Sequence, residues 1–273
     1  MAHAHDRPVS PKFNFPDADV VFKSSDGVLF RVHRKNLEVC TEGFPAGDIS
    51  TLDEVIELTE SSATLELLFR FMYPQRHPAL DVTPFKILEP LAEASEKYQV
   101  FPAMNICHIR MRDMVNEHPV EVAVYAAKHD YPYLVSQVAP MMIAMDLVQV
   151  VGMLPGYLVL SWTKYLKEWM NVYHKIALFQ GGRHSYDRCK GSAENSWSFY
   201  ALGCMARLAP GVHTLRSLNH VFDTAPQMAA ANHKLNSDRQ ISSIPQCCET
   251  DLQAWRRRIE DGIAKIPAFS TFL

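Results

Sequence analysis

The sequence predicts an α+β fold followed by an all-α region, and three observations carry that prediction. Short β-branched and apolar runs flank a glycine turn near the amino end, between Ala18 and Val32. Beyond Ser61 the apolar residues recur at helical spacing. After His118-Pro119 no strand pattern returns. With 273 residues and 48% apolar composition, the chain has room for one large domain or two ordinary ones, each with a core. Residues 1–16 read as a flexible amino end, 17–116 as the α+β part, and 117–273 as helical with an irregular stretch over 183–250.

The clearest pair of elements is a hairpin, Ala18 to Lys23 and Val28 to Val32, joined by Ser24-Ser25-Asp26-Gly27, where Gly27 supplies positive φ. Val28, Phe30 and Val32 fall on one face, and Leu29, Arg31 and His33 on the other. A short helix over Arg34 to Cys40 follows, then a loop, then a third strand at Glu54 to Leu58. Ser61 or Ser62 caps the next helix, whose Leu65, Leu68, Phe69 and Met72 share a face, and Pro74 and Pro78 end it. Thr83 as cap and Pro84 at the first helical position open another, with Ile87, Leu91, Ala94 and Tyr98 as its stripe and Pro90 as a kink. Pro102 starts a helix on which Met104, Cys107, Met111 and Met114 share a face, so Cys107 reads as packing.

In the carboxyl-terminal part, Val120 to Ala127 and Leu134 to Met145 read as two helices, and Tyr157 to Gln180 as a long amphipathic one stopped by Gly181-Gly182. Leu158, Trp162, Tyr165, Trp169 and Ile176 make its dry side. Between Arg183 and Thr250 only Trp197, Tyr200, Ala201, Cys204 and Leu208 match a helix face. Thr250 and Gln253 have capping-box spacing for a last helix with Leu252, Trp255, Ile259 and Ile263 as its stripe, ended by Pro267.

Charge narrows the function classes. A formal net charge of −3, from 27 basic and 30 acidic residues, supplies no positive field for nucleic acid or an anionic membrane, so neither is expected as a direct partner. The amino end carries His3, His5, Asp6 and Arg7 where a secretory leader needs an apolar run, and no stretch approaches about 18 uncharged apolar residues. The expectation is an intracellular protein, cytoplasmic or nuclear. Its six cysteines, with Cys247 and Cys248 adjacent, do not form a spaced disulfide framework and read as reduced thiols.

No nucleotide-binding glycine loop, no G-x-S-x-G elbow and no H-E-x-x-H occurs, so no enzyme activity and no cofactor is expected. Asp17 and Asp19 are two apart, the spacing of paired carboxylates on one strand face, and are read instead as solvated acids before a strand. A reading of another class makes the carboxyl-terminal part a Cys/His enzyme or a zinc-stabilised domain. Its ligand set would be His184, Cys189, Cys204 and His213, without the C-x-x-C knuckle that pins two ligands together. Cys247 and Cys248 read as loop cysteines. The run Arg256-Arg257-Arg258 lies among acids and reads as a solvated face holding i,i+4 pairs such as Arg257 with Asp261.

Several strings carry a resemblance. Asp19-Val20-Val21-Phe22, the turn, and Phe30-Arg31-Val32-His33-Arg34 leading into a short helix resemble the opening of BTB/POZ domains. Leu65 to Tyr73, LELLFRFMY, and Leu91 to Val100, LAEASEKYQV, are similar to two later helices of that family, the second ending in Lys97-Tyr98-Gln99-Val100 where the family has A-x-K-Y-x-V. The match covers about Asp17 to Met114. Cys40-Thr41-Glu42-Gly43-Phe44 keeps only the aromatic residue of the family's pattern after the short helix. A helical carboxyl-terminal part without zinc fingers is similar to the BTB proteins common in fungi. The resemblance implies a protein-binding scaffold that forms homodimers and recruits other proteins. One form is a substrate adaptor for a cullin-type ubiquitin ligase; the alternative is a transcriptional cofactor. It also implies that Asp19, with Arg34 next to His33, lines a charged groove at the dimer centre, where a carboxylate and a guanidinium are tolerable as a pair. The other reading of the same residues is a strand-start aspartate and a solvated helix end.

Overall fold

The computed structural model describes residues 8–44, 55–176, 196–223 and 246–273. The fold is α+β, with a small sheet at the amino-terminal side and helices elsewhere. It divides into two compact units, and the division falls between His118 and Pro119.

In the first unit, β2 (Val20–Lys23) and β3 (Leu29–Val32) form the expected antiparallel hairpin, with Phe22 opposite Phe30. Gly27 takes φ +87°, and the amide of Ser24 donates to the Val28 carbonyl at 2.9 Å, closing the turn. Phe30 and Val32 are buried while Arg31 is exposed, as the alternation requires. β4 (Val55–Glu57) adds to β2 in parallel.

The amino end is not wholly flexible: β1 (Val9–Asn14) pairs in parallel with β3, giving the order β1-β3-β2-β4. Pro11 and Lys12 interrupt the apolar alternation that announces a strand. An edge strand tolerates such a proline. What holds β1 is Phe13, 3% exposed, whose ring lies 5.6 Å from that of Phe69 and 6.2 Å from that of Phe30.

Phe69 is the centre of this core. It sits on α2 (Ser62–Arg70), is fully buried, and also meets Phe22 at 5.6 Å and Phe44 at 6.1 Å. Ser61 is the cap residue, its side chain accepting from the Thr64 amide, and the helix ends at Arg70, before Pro74. α1 (Arg34–Cys40) precedes β4 in sequence. α3 (Phe85–Lys97) starts one residue later than expected: Pro84 is its N-cap, so Thr83 does not cap it. α4 (Phe101–Asp113) buries Cys107 and Met111.

The second unit is helical. α5 (Pro119–Lys128) packs on α6 (Pro132–Met142). Where one helix to Met145 is expected, α6 stops and Asp146 caps a separate α7 (Leu147–Met153), accepting from the Gln149 amide at 3.0 Å. The long helix is α8 (Gly156–Ile176); Gln180 and the Gly181-Gly182 stop lie outside the described residues. Within the stretch expected to be irregular stand α9 (Ser196–Leu208), a 3₁₀ turn at Val212–Ser217 and α10 (Leu218–Asp223).

The last helix, α11 (Gln246–Ala264), begins before the expected capping box. Thr250 lies inside it, donating to the Gln246 carbonyl at 2.8 Å, and Gln253 Nε2 turns to Glu249, so neither residue caps. Cys247 and Cys248 are therefore helical and not loop cysteines; Cys248 is fully buried. A closing 3₁₀ turn, Phe269–Phe272, packs against α8 through Phe269, 5.3 Å from the Tyr165 ring, and through Ser161, whose hydroxyl donates to the Phe272 carbonyl at 2.6 Å.

Candidate interaction site

The three residues singled out by resemblance converge where α1 begins. Asp19 ends the loop before β2, and its Oδ1 accepts the backbone N–H of Arg34 at 2.7 Å. Arg34 is the first residue of α1, and the cap residue, His33, makes no side-chain capping bond. Asp19 thus does from another segment what a capping side chain does locally: it takes an orphan helix N–H and places negative charge at the helix's positive end. The bond joining Asp19 to Arg34 runs to the backbone, a partner that residue type alone does not reveal.

His33 is held on both ring nitrogens. Nε2 lies 3.2 Å from Asp17 Oδ1, and Nδ1 3.1 Å from the hydroxyl of Tyr73, which also accepts the His33 backbone N–H at 3.0 Å. With the proton assigned to Nε2, the ring donates to Asp17 and accepts from Tyr73 at once. The hydrogen bond from His33 holds the Asp17 carboxyl below its ordinary value, while burial pushes the Tyr73 hydroxyl up. Phe15 stacks on Tyr73 at 5.3 Å and lies 4.9 Å from the His33 ring. Asp17 and Asp19 are therefore not a carboxylate pair on a strand: β2 starts at Val20, and the two acids serve different partners. Sequence reasoning missed Phe15 and Tyr73 as members of this cluster. Tyr73 has a signal in the end of the string LELLFRFMY; Phe15 has none.

A second cluster fixes the start of the loop after α1. The Tyr98 hydroxyl donates to Glu60 Oε2 at 2.6 Å, and Lys97 Nζ reaches Glu60 Oε1 at 2.8 Å. Burial pushes the Glu60 carboxyl up, and hydrogen bonds from Lys97, Tyr98 and Thr59 outweigh it and hold the group below its ordinary value. The Tyr98 carbonyl accepts from the Gly43 amide at 3.0 Å and from the Thr41 hydroxyl, and Phe44 stacks on the Tyr98 ring at 4.2 Å. These contacts are structural: they hold the segment Thr41 to Phe44, where the sequence departs from the BTB/POZ pattern, against the end of α3.

For the metal or Cys/His reading, His184 and Cys189 lie outside the described residues. Cys204 is fully buried on α9, and burial pushes its thiol up to about 12, the behaviour of a packing residue and not of a nucleophile. His213 lines a shallow pocket with Arg207 and His220. Among the described residues no three His, Cys, Asp or Glu side chains group as metal ligands. In the basic run of α11 the ion pair formed at i,i+4 is Arg256 with Glu260, at 2.7 Å. No described helix is long and apolar enough to cross a membrane. No protein-family model matches the chain, and no curated protein is significantly similar to it.

Proposed function

We propose that this protein is a non-enzymatic interaction module whose α+β unit offers the start of α1 to another protein. In its concrete form it is a dimerising scaffold or substrate adaptor for a cullin-type ubiquitin ligase. The observation that carries the reading is the hydrogen-bonded set Asp19, His33 and Tyr73 around Arg34. Polar groups fixed before association lose less conformational freedom on binding, so such a surface is preorganised for a partner. Beside them α1 turns Lys35, Glu38 and Val39 outward, and Val39 is 81% exposed. An apolar contact ringed by charge is the composition of an interface core and rim. The cullin and the homodimer come from the BTB/POZ resemblance of Asp17 to Met114.

Isothermal titration of the full chain with a cullin amino-terminal domain tests the adaptor form. Micromolar binding is expected, weakened by about tenfold in Val39→Asp, the equivalent of about 1.4 kcal/mol. Absence of binding at micromolar concentration removes the adaptor. Sedimentation tests the dimer independently, and a monomer throughout the micromolar range removes it.

A further inference from the structure

The His33 ring is held in a way that depends on its charge, because its two nitrogens face unlike neighbours. Nε2 lies 3.2 Å from Asp17 Oδ1, and the Asp17 side chain is 81% exposed, so this edge of the ring is open to water. Nδ1 lies 3.1 Å from the Tyr73 hydroxyl, where Phe15 packs against both rings. The Tyr73 oxygen is already full. It accepts the His33 backbone N–H at 3.0 Å and a hydrogen bond from the Asn36 side chain. With both lone pairs taken, the hydroxyl has only its own proton left to give, and Nδ1 receives it.

That arrangement holds only while the ring is neutral. In the imidazolium both nitrogens donate. The Nε2 donor still meets Asp17, which stays ionised because the bond from His33 holds its carboxyl below the ordinary value. The Nδ1 donor meets an oxygen with no lone pair to offer. Burial pushes the Tyr73 hydroxyl up, so its proton does not leave, and two donors point at each other. The other charged groups near the ring are Asp19, which holds the Arg34 amide, and Arg34 and Lys35 in the first turn of α1. None of them can stand between atoms 3.1 Å apart.

We propose that His33 is a proton-operated latch on the start of α1. Neutral, it bridges Asp17 and Tyr73; protonated, it keeps Asp17 and releases Tyr73. Because Tyr73 also holds the His33 backbone N–H, its release loosens the first turn of the helix. A partner seated on α1 then binds more weakly as the medium acidifies. That last consequence rests on the function proposed above, whereas the latch itself is measured without a partner, so each can fail alone.

The test is nuclear magnetic resonance of the full chain with ¹⁵N-labelled histidine, from pH about 8 to about 5, the range in which imidazoles take up a proton. At the alkaline end the His33 ring is expected to carry its proton on Nε2. As the ring titrates, protection of the His33 amide from hydrogen exchange, corrected for intrinsic rates, should fall by about fivefold, as loss of one hydrogen bond predicts. In His33→Asn the amide oxygen replaces Nδ1 as the acceptor for Tyr73, and protection should not respond to pH. Tyr73→Phe should give lower protection that is likewise flat. If Tyr73→Phe fails to fold, His33→Asn alone decides. A neutral ring protonated on Nδ1, protection unchanged through the titration, or the same fall in His33→Asn each overturns the proposal.

Discussion

Gly43 has no room for a side chain, since a Cβ there would meet the carbonyl carbon of Tyr98 at 2.6 Å and its oxygen at 2.7 Å. Backbone cannot rotate away as a side chain can, so Gly43→Ala is expected to destabilise the first unit by about 1–3 kcal/mol, read from its chemical denaturation midpoint. The side chain of the same Tyr98 is a pH sensor of stability. Burial, aided by the neighbouring Glu60 carboxylate, pushes its hydroxyl up to about 12, against an ordinary value of 10.0. The folded state then holds this proton more tightly than the unfolded chain. The contribution to stability is whole below pH 10.0 and is lost as pH rises toward about 12. Lys97, whose pKa is also raised, works in the same direction. Glu60 gives the acid limb: with its pKa lowered, its contribution is present above 4.5 and lost as pH falls below it. Tyr98→Phe should flatten the alkaline limb in denaturation midpoints measured across this range; an unchanged limb would assign it elsewhere. Lys97 and Tyr98 were visible in sequence as a motif. Their partner Glu60 was not, because a lone acid in a loop has no periodicity to mark it.

Among the elements, α1 shows how a short helix is held. Seven residues are too few for stability in isolation. Its start is fixed by Asp19 on Arg34 N–H and by Tyr73 on His33 N–H, both from distant segments. Asp19→Ala should cost about 1 kcal/mol and speed hydrogen exchange at the Arg34 amide, as loss of one such hydrogen bond predicts. Unchanged exchange would show that the bond does not hold the helix. Elements with strong periodicity were legible: the hairpin, α2, α4, α8 and α9 lie close to where alternation and helical stripes place them. β1 was illegible because its sequence, VSPKFN, places a proline and a lysine inside a strand held by one phenylalanine and by pairing with β3. The start of α11 was misplaced because Thr250 and Gln253 have the spacing of a cap while the helix continues through them. The site was half legible: Asp19, His33 and Arg34 do meet, but through the backbone and with Tyr73 as the missing member.

At the scale of the molecule, the tryptophans divide unevenly. All four, Trp162, Trp169, Trp197 and Trp255, follow Pro119, so tryptophan emission reports the second unit only. Residues 8–118 contain their own sheet, helices and aromatic core around Phe69. Expressed alone, they should unfold in one cooperative transition by far-ultraviolet circular dichroism and tyrosine signal; a gradual, sloping loss of signal would show that this unit lacks an independent core. The strand order adds a consequence in time. β2 and β3 are joined by a tight turn, while β1 and β4 each join a neighbour in parallel across a long intervening segment. Closing a short loop is fast and closing a long one is slow. The hairpin is therefore the seed on which the sheet grows outward in both directions. In a pulse-labelling experiment the amides of Phe22 and Phe30 should be protected before those linking β1 to β3.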